Sequence, residues 1–577
     1  MIFQGFYSYF CTIFIKQVSK LQCMSSNGKQ NGKNKEKNSE KVESSELFWA
    51  DKVAQQIITR EKFHYTDDKI PKQSEYVVKS GTSLSGVLHI GRISDIIRSD
   101  SVVTALKDAG VKATALWTAD SMDPLRKVPA GIPADYEQYI GVPVTDIPDP
   151  AGEYESYGAR HLAEYMEVID QFLVNKLEKH SMREEYKKGA FVKYIKIIME
   201  NAEEVRQIHN KYRTTPHKKG WSPWNPICEN CGKLMTAKVS EIIDGKVLYK
   251  CQDYEFESST AKGCGHKGEN DPAKGNGKLV WKAEWACQWA VWNVSCEGAG
   301  KEYQVPNSAW WVNAEIVERV LKHPMPVPFF YEHLMIDGVK MSASLGNVVY
   351  PRDWLEVASP ELLRLLYNKR LMMSRSFSWK DLPVLYSEWD SLLRIYNGEI
   401  KMTNEKELSH NKRLLEISKM GKLDAPLELS FSHAAMVAQL YQNDEDSIAC
   451  LKKSKHYSKK HHEQIVSLLH KAKFWLEKYA TDDDKYVVQT AVPSDLKLSK
   501  GQKEALHDVA SLLERKEWDE KELHQEFYNV CTKHGIKNTE FFQAAYKVLL
   551  NKERGPKLAA FLLLLGNERV VPLLREV

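Results

Sequence analysis

The run from Tyr76 to Trp117 constrains the fold more than any other part of the chain. A β-prone segment, Tyr76-Val77-Val78, leads into a Gly/Ser-rich turn, KSGTSLSG, and then into His89-Ile90-Gly91-Arg92. Ile93, Ile96 and Ile97 follow at helical spacing, and a second β-prone run closes at Trp117. Strand, turn, helix and strand in that order make a right-handed β-α-β unit of a parallel sheet. Backbone N–H groups at such a turn and helix start face outward and suit a phosphate. The spacing matches neither the six-residue dinucleotide fingerprint nor a P-loop ending in Gly-Lys-Ser/Thr. It places an imidazole, His89, beside a glycine where a ligand can approach the backbone. The bland alternative is a buried histidine at a helix start.

A second small-residue loop lies far downstream. Asp337-Gly338 is a turn signal, and Lys340-Met341-Ser342-Ala343-Ser344 runs into Leu345-Gly346-Asn347. A lysine on such a loop can meet a polyphosphate and stabilise charge developing in phosphoryl or nucleotidyl transfer. Read alone, it is a solvated surface lysine. Together, HIGR and KMSAS resemble the HIGH and KMSKS signatures of class I aminoacyl-tRNA synthetases. Their flanks, SGTSLSGVLHIGR and KMSASLGN, are most similar to the class I, archaeal-type lysyl-tRNA synthetases. The resemblance covers about residues 46 to 577. It implies an α/β fold: a Rossmann-like parallel-sheet catalytic domain over 46–374, and an all-α anticodon-binding domain over 375–577.

The cysteines are unevenly placed, with six of the ten between residues 228 and 296. Cys228-Glu229-Asn230-Cys231-Gly232 is a knuckle in which the glycine lets backbone N–H groups turn toward the thiolates. Cys251 and Cys264-Gly265-His266 follow. CxxC…C…CG order makes a closed tetrahedral zinc site with a structural role, inside an insertion of about 220–275. Cys228, Cys231, Cys251 and Cys264 are the expected ligands, with His266 as an alternative to one of the last two. Such clustering argues for a reducing compartment, and the expected location is cytoplasmic.

Residues 1–45 stand outside the resemblance. The apolar run 2–15 is too short to span a bilayer comfortably, and its lysines follow it, unlike a signal peptide's. Residues 25–46 have a disordered composition, and Met24 offers an alternative start that would make the upstream part a misassigned extension. The folded part opens near Glu46, where Phe48, Val53, Ile57 and Ile58 share a helical face. Residues 130–160 are turn-rich and read as an insertion over the sheet. A helical region is expected from about Arg160 to Tyr212, and strand-like alternation is scarce after about residue 400. No run is long and apolar enough for a membrane helix. A formal net charge of +4 is too mild to indicate nucleic acid by itself, so local clusters at 452–462 and 497–503 are the candidates for phosphate contact.

The resemblance implies a lysine–tRNA ligase that uses ATP with Mg²⁺ to form lysyl-adenylate and passes the lysyl group to tRNA(Lys), and a monomer without membrane partners is expected. His89 and Lys340 take the catalytic positions; Gly91, Arg92, Met341, Ser342 and Ser344 complete the expected ATP site. Gly81, Thr82 and Ser83 are expected at the amino acid, with Glu284 as the available anion and Trp285 as pocket wall in a tryptophan-rich segment. Leu84, Arg92, Ala119 and Glu302-Tyr303 depart from the family pattern, which has Gly-Lys-Asp-His where this chain has Gly300-Lys301-Glu302-Tyr303. They leave two alternatives: an impaired, tRNA-binding relative, or another class I specificity such as glutamate.

Overall fold

The structure, a computed structural model, describes residues 47–84, 89–129, 131–341 and 347–577. Helix α1 (Trp49–Thr59) buries Ala50, Val53, Ala54 and Ile57, while Ile58 faces solvent. Strand β1 (Tyr76–Ser83), helix α2 (Ile90–Asp108) and strand β2 (Ala113–Asp120) form the expected β-α-β unit. β1 and β2 pair in parallel along their whole length, from Tyr76 opposite Ala113 to Ser83 opposite Asp120. This register brings both strand ends, and the polar residues on them, to one edge.

Strand β3 (Leu177–Ser181) joins β2 in parallel, and it lies within the stretch expected to be wholly helical. Its sequence, LEKHS, carries an edge strand's charged residues and no apolar alternation, so pairing with β2 decides its state. Helix α3 (Trp281–Val291) leads into strand β4 (Val294–Gly300), and helix α4 (Ala309–Arg319) into strand β5 (Val327–Tyr331). The completed five-stranded sheet has the order β5-β4-β1-β2-β3, all parallel. Between β3 and α3, short antiparallel strands frame the cysteines, with Cys251 at the end of one and Cys228, Cys231 and Cys264 in loops, and Gly277–Leu279 pairs with Trp224–Pro226 to close this insertion.

Helix α2 is buried on nearly every side. Besides its isoleucines it buries Ser94, Asp95, Arg98, Ser99, Asp100 and Ser101, and buried polar groups demand partners. Asp100 obtains one from the helical part of the chain. Arg364, fully buried on the helix Pro360–Asn368, donates from NH1 to Asp100 at 2.6 Å. It also donates to the carbonyls of Phe172, Ile417 and Ser418. The last strand among the described residues is Arg375–Phe377, paired in parallel with Leu334–Ile336. Every regular element beyond it among the described residues is helical, packed through faces of Leu, Ile, Phe and Trp.

Candidate active site

The ends of β1, β2, β4 and β5 enclose a cavity of about 420 Å³. Its position, outside the carboxyl ends of parallel strands, is where open α/β sheets bind ligands. Every sequence-predicted residue of the two loops that is described, apart from Glu284, reaches it: Gly81, Thr82 and Ser83 from β1, His89, Gly91 and Arg92 from the start of α2, Trp285 from α3, and Lys340 with Met341. Ser342 and Ser344 lie outside the described residues.

Part of the cavity lining is basic. His89 sits at the extended cap position of α2, and its Nδ1 is buried without a hydrogen-bond partner. Burial pushes its imidazole down to about 4, and the neighbouring cations Arg92 and Lys340 add to this. His89 is therefore neutral at pH 7 and can donate one N–H. Arg92 donates from NH1 to the carbonyl of Ser83 at 2.7 Å, tying the start of α2 to the end of β1. At Gly91 a Cβ would stand 2.8 Å from Met341 Cε and 2.9 Å from the His89 ring, so any side chain there must displace one of them. Met341 thus lies against the start of α2.

Elsewhere the lining is acidic. Lys79 and Glu297 form a buried pair at 2.7 Å, and Trp285 donates its indole N–H to the same carboxylate at 3.0 Å. Asp95, on α2, accepts a long 3.4 Å bond from the Gly81 N–H and has the Tyr331 hydroxyl beside it, and its Oδ1 is buried without a close hydrogen-bond partner. Burial, reinforced by Glu297, raises its carboxyl to about 7. Asp120, at the end of β2, also has an unpartnered Oδ1, and burial together with Asp123 raises it to about 7. A cation entering here would restore both to their charged forms.

Glu284 is elsewhere. It is fully buried, 3.2 Å from Lys278 Nζ and hydrogen-bonded by the Tyr186 hydroxyl at 2.8 Å, so its charge is already spent. Lys278 also reaches Asp123 at 2.8 Å. Burial would raise Asp123, but Lys278 and the Ser83 hydroxyl hold its carboxyl below the usual range. The anions that do face the cavity, Asp95, Asp120, Glu297 and Glu302, were not singled out as site residues from sequence. Of these, Glu302 is marked in the sequence only as a departure from the family pattern, and Asp120 stands just beyond the β-prone run that closes at Trp117, where a ligand-facing acid is expected.

In the insertion, the Sγ atoms of Cys228, Cys231, Cys251 and Cys264 all lie within 4.8 Å of one another. Two of the separations, Cys228 to Cys264 and Cys231 to Cys251, are 3.6 Å. A tetrahedron with Zn–S bonds of about 2.3 Å has edges of about 3.8 Å, so the four thiols fit zinc without rearrangement. His266 is not part of the cluster. Its carbonyl accepts the Cys251 N–H at 2.8 Å, while its ring lies beside Tyr249.

A parallel sheet whose ligand crevice joins an HIGR helix start to a lysine loop defines a class I aminoacyl-tRNA synthetase core. The family model of class I (K) tRNA synthetases matches residues 47–421, and that of an anticodon binding domain matches 433–577. The chain belongs to the class I (K) tRNA synthetase family. A lysine–tRNA ligase of Thermococcus kodakarensis is 34% identical over 548 residues, covering 92% of this chain and 99% of that protein. Those of Pyrococcus furiosus and Methanosphaera stadtmanae are 32% and 29% identical, over 92% and 91% of this chain and 99% and 98% of theirs. A solved glutamate-tRNA synthetase from Elizabethkingia anophelis aligns with 87% of this chain and 99% of its own, at 10% identity and a TM-score of 0.38, too low to inform specificity. Among the described residues no helix is long and apolar enough to cross a membrane.

Proposed function

We propose that this chain is a lysine–tRNA ligase whose cavity holds ATP against its basic lining and lysine against its acidic lining. The observation that carries the reading is that the cavity is lined both by His89, Arg92 and Lys340, which suit a polyphosphate, and by the under-neutralised carboxyls of Asp95 and Asp120, which suit a cationic substrate. In the first step the lysine carboxylate attacks the α-phosphorus, and pyrophosphate leaves. In the second, a terminal ribose hydroxyl of the tRNA attacks the acyl carbon, and AMP leaves. Little covalent work falls to the protein; alignment and charge stabilisation do most of it. His89 donates an N–H to a phosphate oxygen, Lys340 meets the charge building on the departing pyrophosphate, and Gly91 leaves room for the nucleotide. Mg²⁺ entering with ATP offsets part of the phosphate charge.

At the acidic lining the ammonium groups of lysine meet Asp95 and Asp120, against a wall of Trp285. Glutamate would place a third anion against these carboxylates, which disfavours that specificity. Zinc on Cys228, Cys231, Cys251 and Cys264 has a structural role, since a closed four-thiolate site leaves no position for substrate. The helical part from about residue 375 reads the anticodon. The test is amino-acid-dependent ATP–pyrophosphate exchange with each of the twenty amino acids, with and without tRNA. Exchange driven by lysine is expected; exchange driven by glutamate, or by none, would overturn the reading.

A further inference from the structure

A carboxylate stands among the cations that the nucleotide reading assigns to the polyphosphate. Glu302 lies directly after the end of β4 and lines the cavity together with Lys340 and His89. Its Oε2 accepts an N–H from His333 Nε2 at 3.0 Å, and His333, in the turn after β5, lines the same cavity. The His333 bond, opposed by burial and aided by Lys340, holds the Glu302 carboxyl down to about 2. The carboxylate folds back over its own strand end, where a Cβ on Gly300 would stand 2.5 Å from it. A second rung, Lys301 to Glu332 at 2.8 Å, joins the same two segments, and neither of its residues lines the cavity.

We propose that His333 is a positioning residue for ATP: by pairing with Glu302 it masks a carboxylate that would otherwise repel the triphosphate. This rests on the nucleotide reading above. Without the imidazole N–H that holds it back, the Glu302 carboxylate is free to turn toward Lys340 and compete with the phosphates for that cation. The inner rung therefore tunes the cavity, and the outer rung holds the two segments together.

The test compares the parent with His333→Ala, Glu302→Gln, the double variant and Glu332→Gln. Lysine-dependent pyrophosphate exchange gives KM for ATP and kcat, and equilibrium dialysis gives direct binding of ATP and of adenosine. His333→Ala should raise KM and Kd for ATP about tenfold, the scale of one like charge a few ångströms away at a partly solvated site. Adenosine binding and kcat should stay within about threefold of the parent, because the repulsion acts on phosphate. Removing the carboxylate as well should rescue the defect, bringing the double variant close to Glu302→Gln. Glu332→Gln should bind ATP as the parent does. A double variant as poor as His333→Ala, or equal weakening of ATP and adenosine, would overturn the proposal. Failure of lysine-dependent exchange in the parent would count against the functional reading, while the dialysis comparison would still decide the role of His333.

Discussion

Binding of lysine should expel about one proton at neutral pH. The perturbation is the arrival of a cation at Asp95 and Asp120, whose carboxyls burial has raised to about 7. At pH 7 each is then about half protonated. An ammonium within about 4 to 6 Å lowers a carboxyl by about 1 to 3 units, to about 5, where only about 1% stays protonated at pH 7. Each carboxyl thus gives up about half a proton, and the pair about one. At pH 8 both are about 90% ionised beforehand, and release falls to about 0.2 proton. Isothermal titration calorimetry of lysine into the protein, repeated in buffers of different ionisation enthalpy, reads the number directly as a slope. Asp120→Asn should keep about half of the release at pH 7. Saturating lysine binding with no buffer dependence at pH 7 would refute the argument, because the cation would then have bound where no carboxyl awaited it.

Four further outcomes are expected. Lys340→Ala and His89→Ala should each lower the rate of adenylate formation by about 100- to 1000-fold in stopped-flow assays, with smaller changes in KM for ATP. Gly91→Ala should impair the same step, because its methyl group must displace Met341 or the His89 ring. Cys228→Ser should lower zinc content, measured by elemental analysis, from one per chain, and lower the melting temperature with it. Acid should destabilise the fold through His209 and His433, which burial holds at about 4 and about 3. The unfolded chain protonates these residues first, so their contribution is complete above about pH 6.5 and is lost as pH falls toward those values, by up to about 1.4 kcal/mol per unit for each. Melting curves from pH 7 to 4 test this, and His433→Gln should flatten them.

The β-α-β unit, the cysteine cluster and the all-helical end were legible because each rests on local order: alternation, ligand spacing or a 3.6-residue period. The pairing of His89 with Lys340 was legible only through family resemblance, since no local rule joins residues so far apart. Glu284 shows where sequence reading stops. It adjoins Trp285, which does line the cavity, but one residue along a helix turns the side chain by about 100°, and Glu284 faces Lys278 instead. Asp95 was hidden for a related reason. The isoleucines around it mark a helix with one buried face, whereas α2 is buried on its polar side too. β3 was missed because an edge strand's charged sequence has no alternation to detect.

Arg364 ties two parts of the chain together. Its guanidinium, without solvent exposure, grips Asp100 on α2 and three carbonyls from elsewhere in the chain. Removing one partner of such a buried pair costs about 3 to 5 kcal/mol, so a substitution here would loosen α2, whose start carries His89 and Arg92, from the helix that ends at Ser418. A fault at this buried joint would therefore be felt at the cavity, although Arg364 itself does not line it.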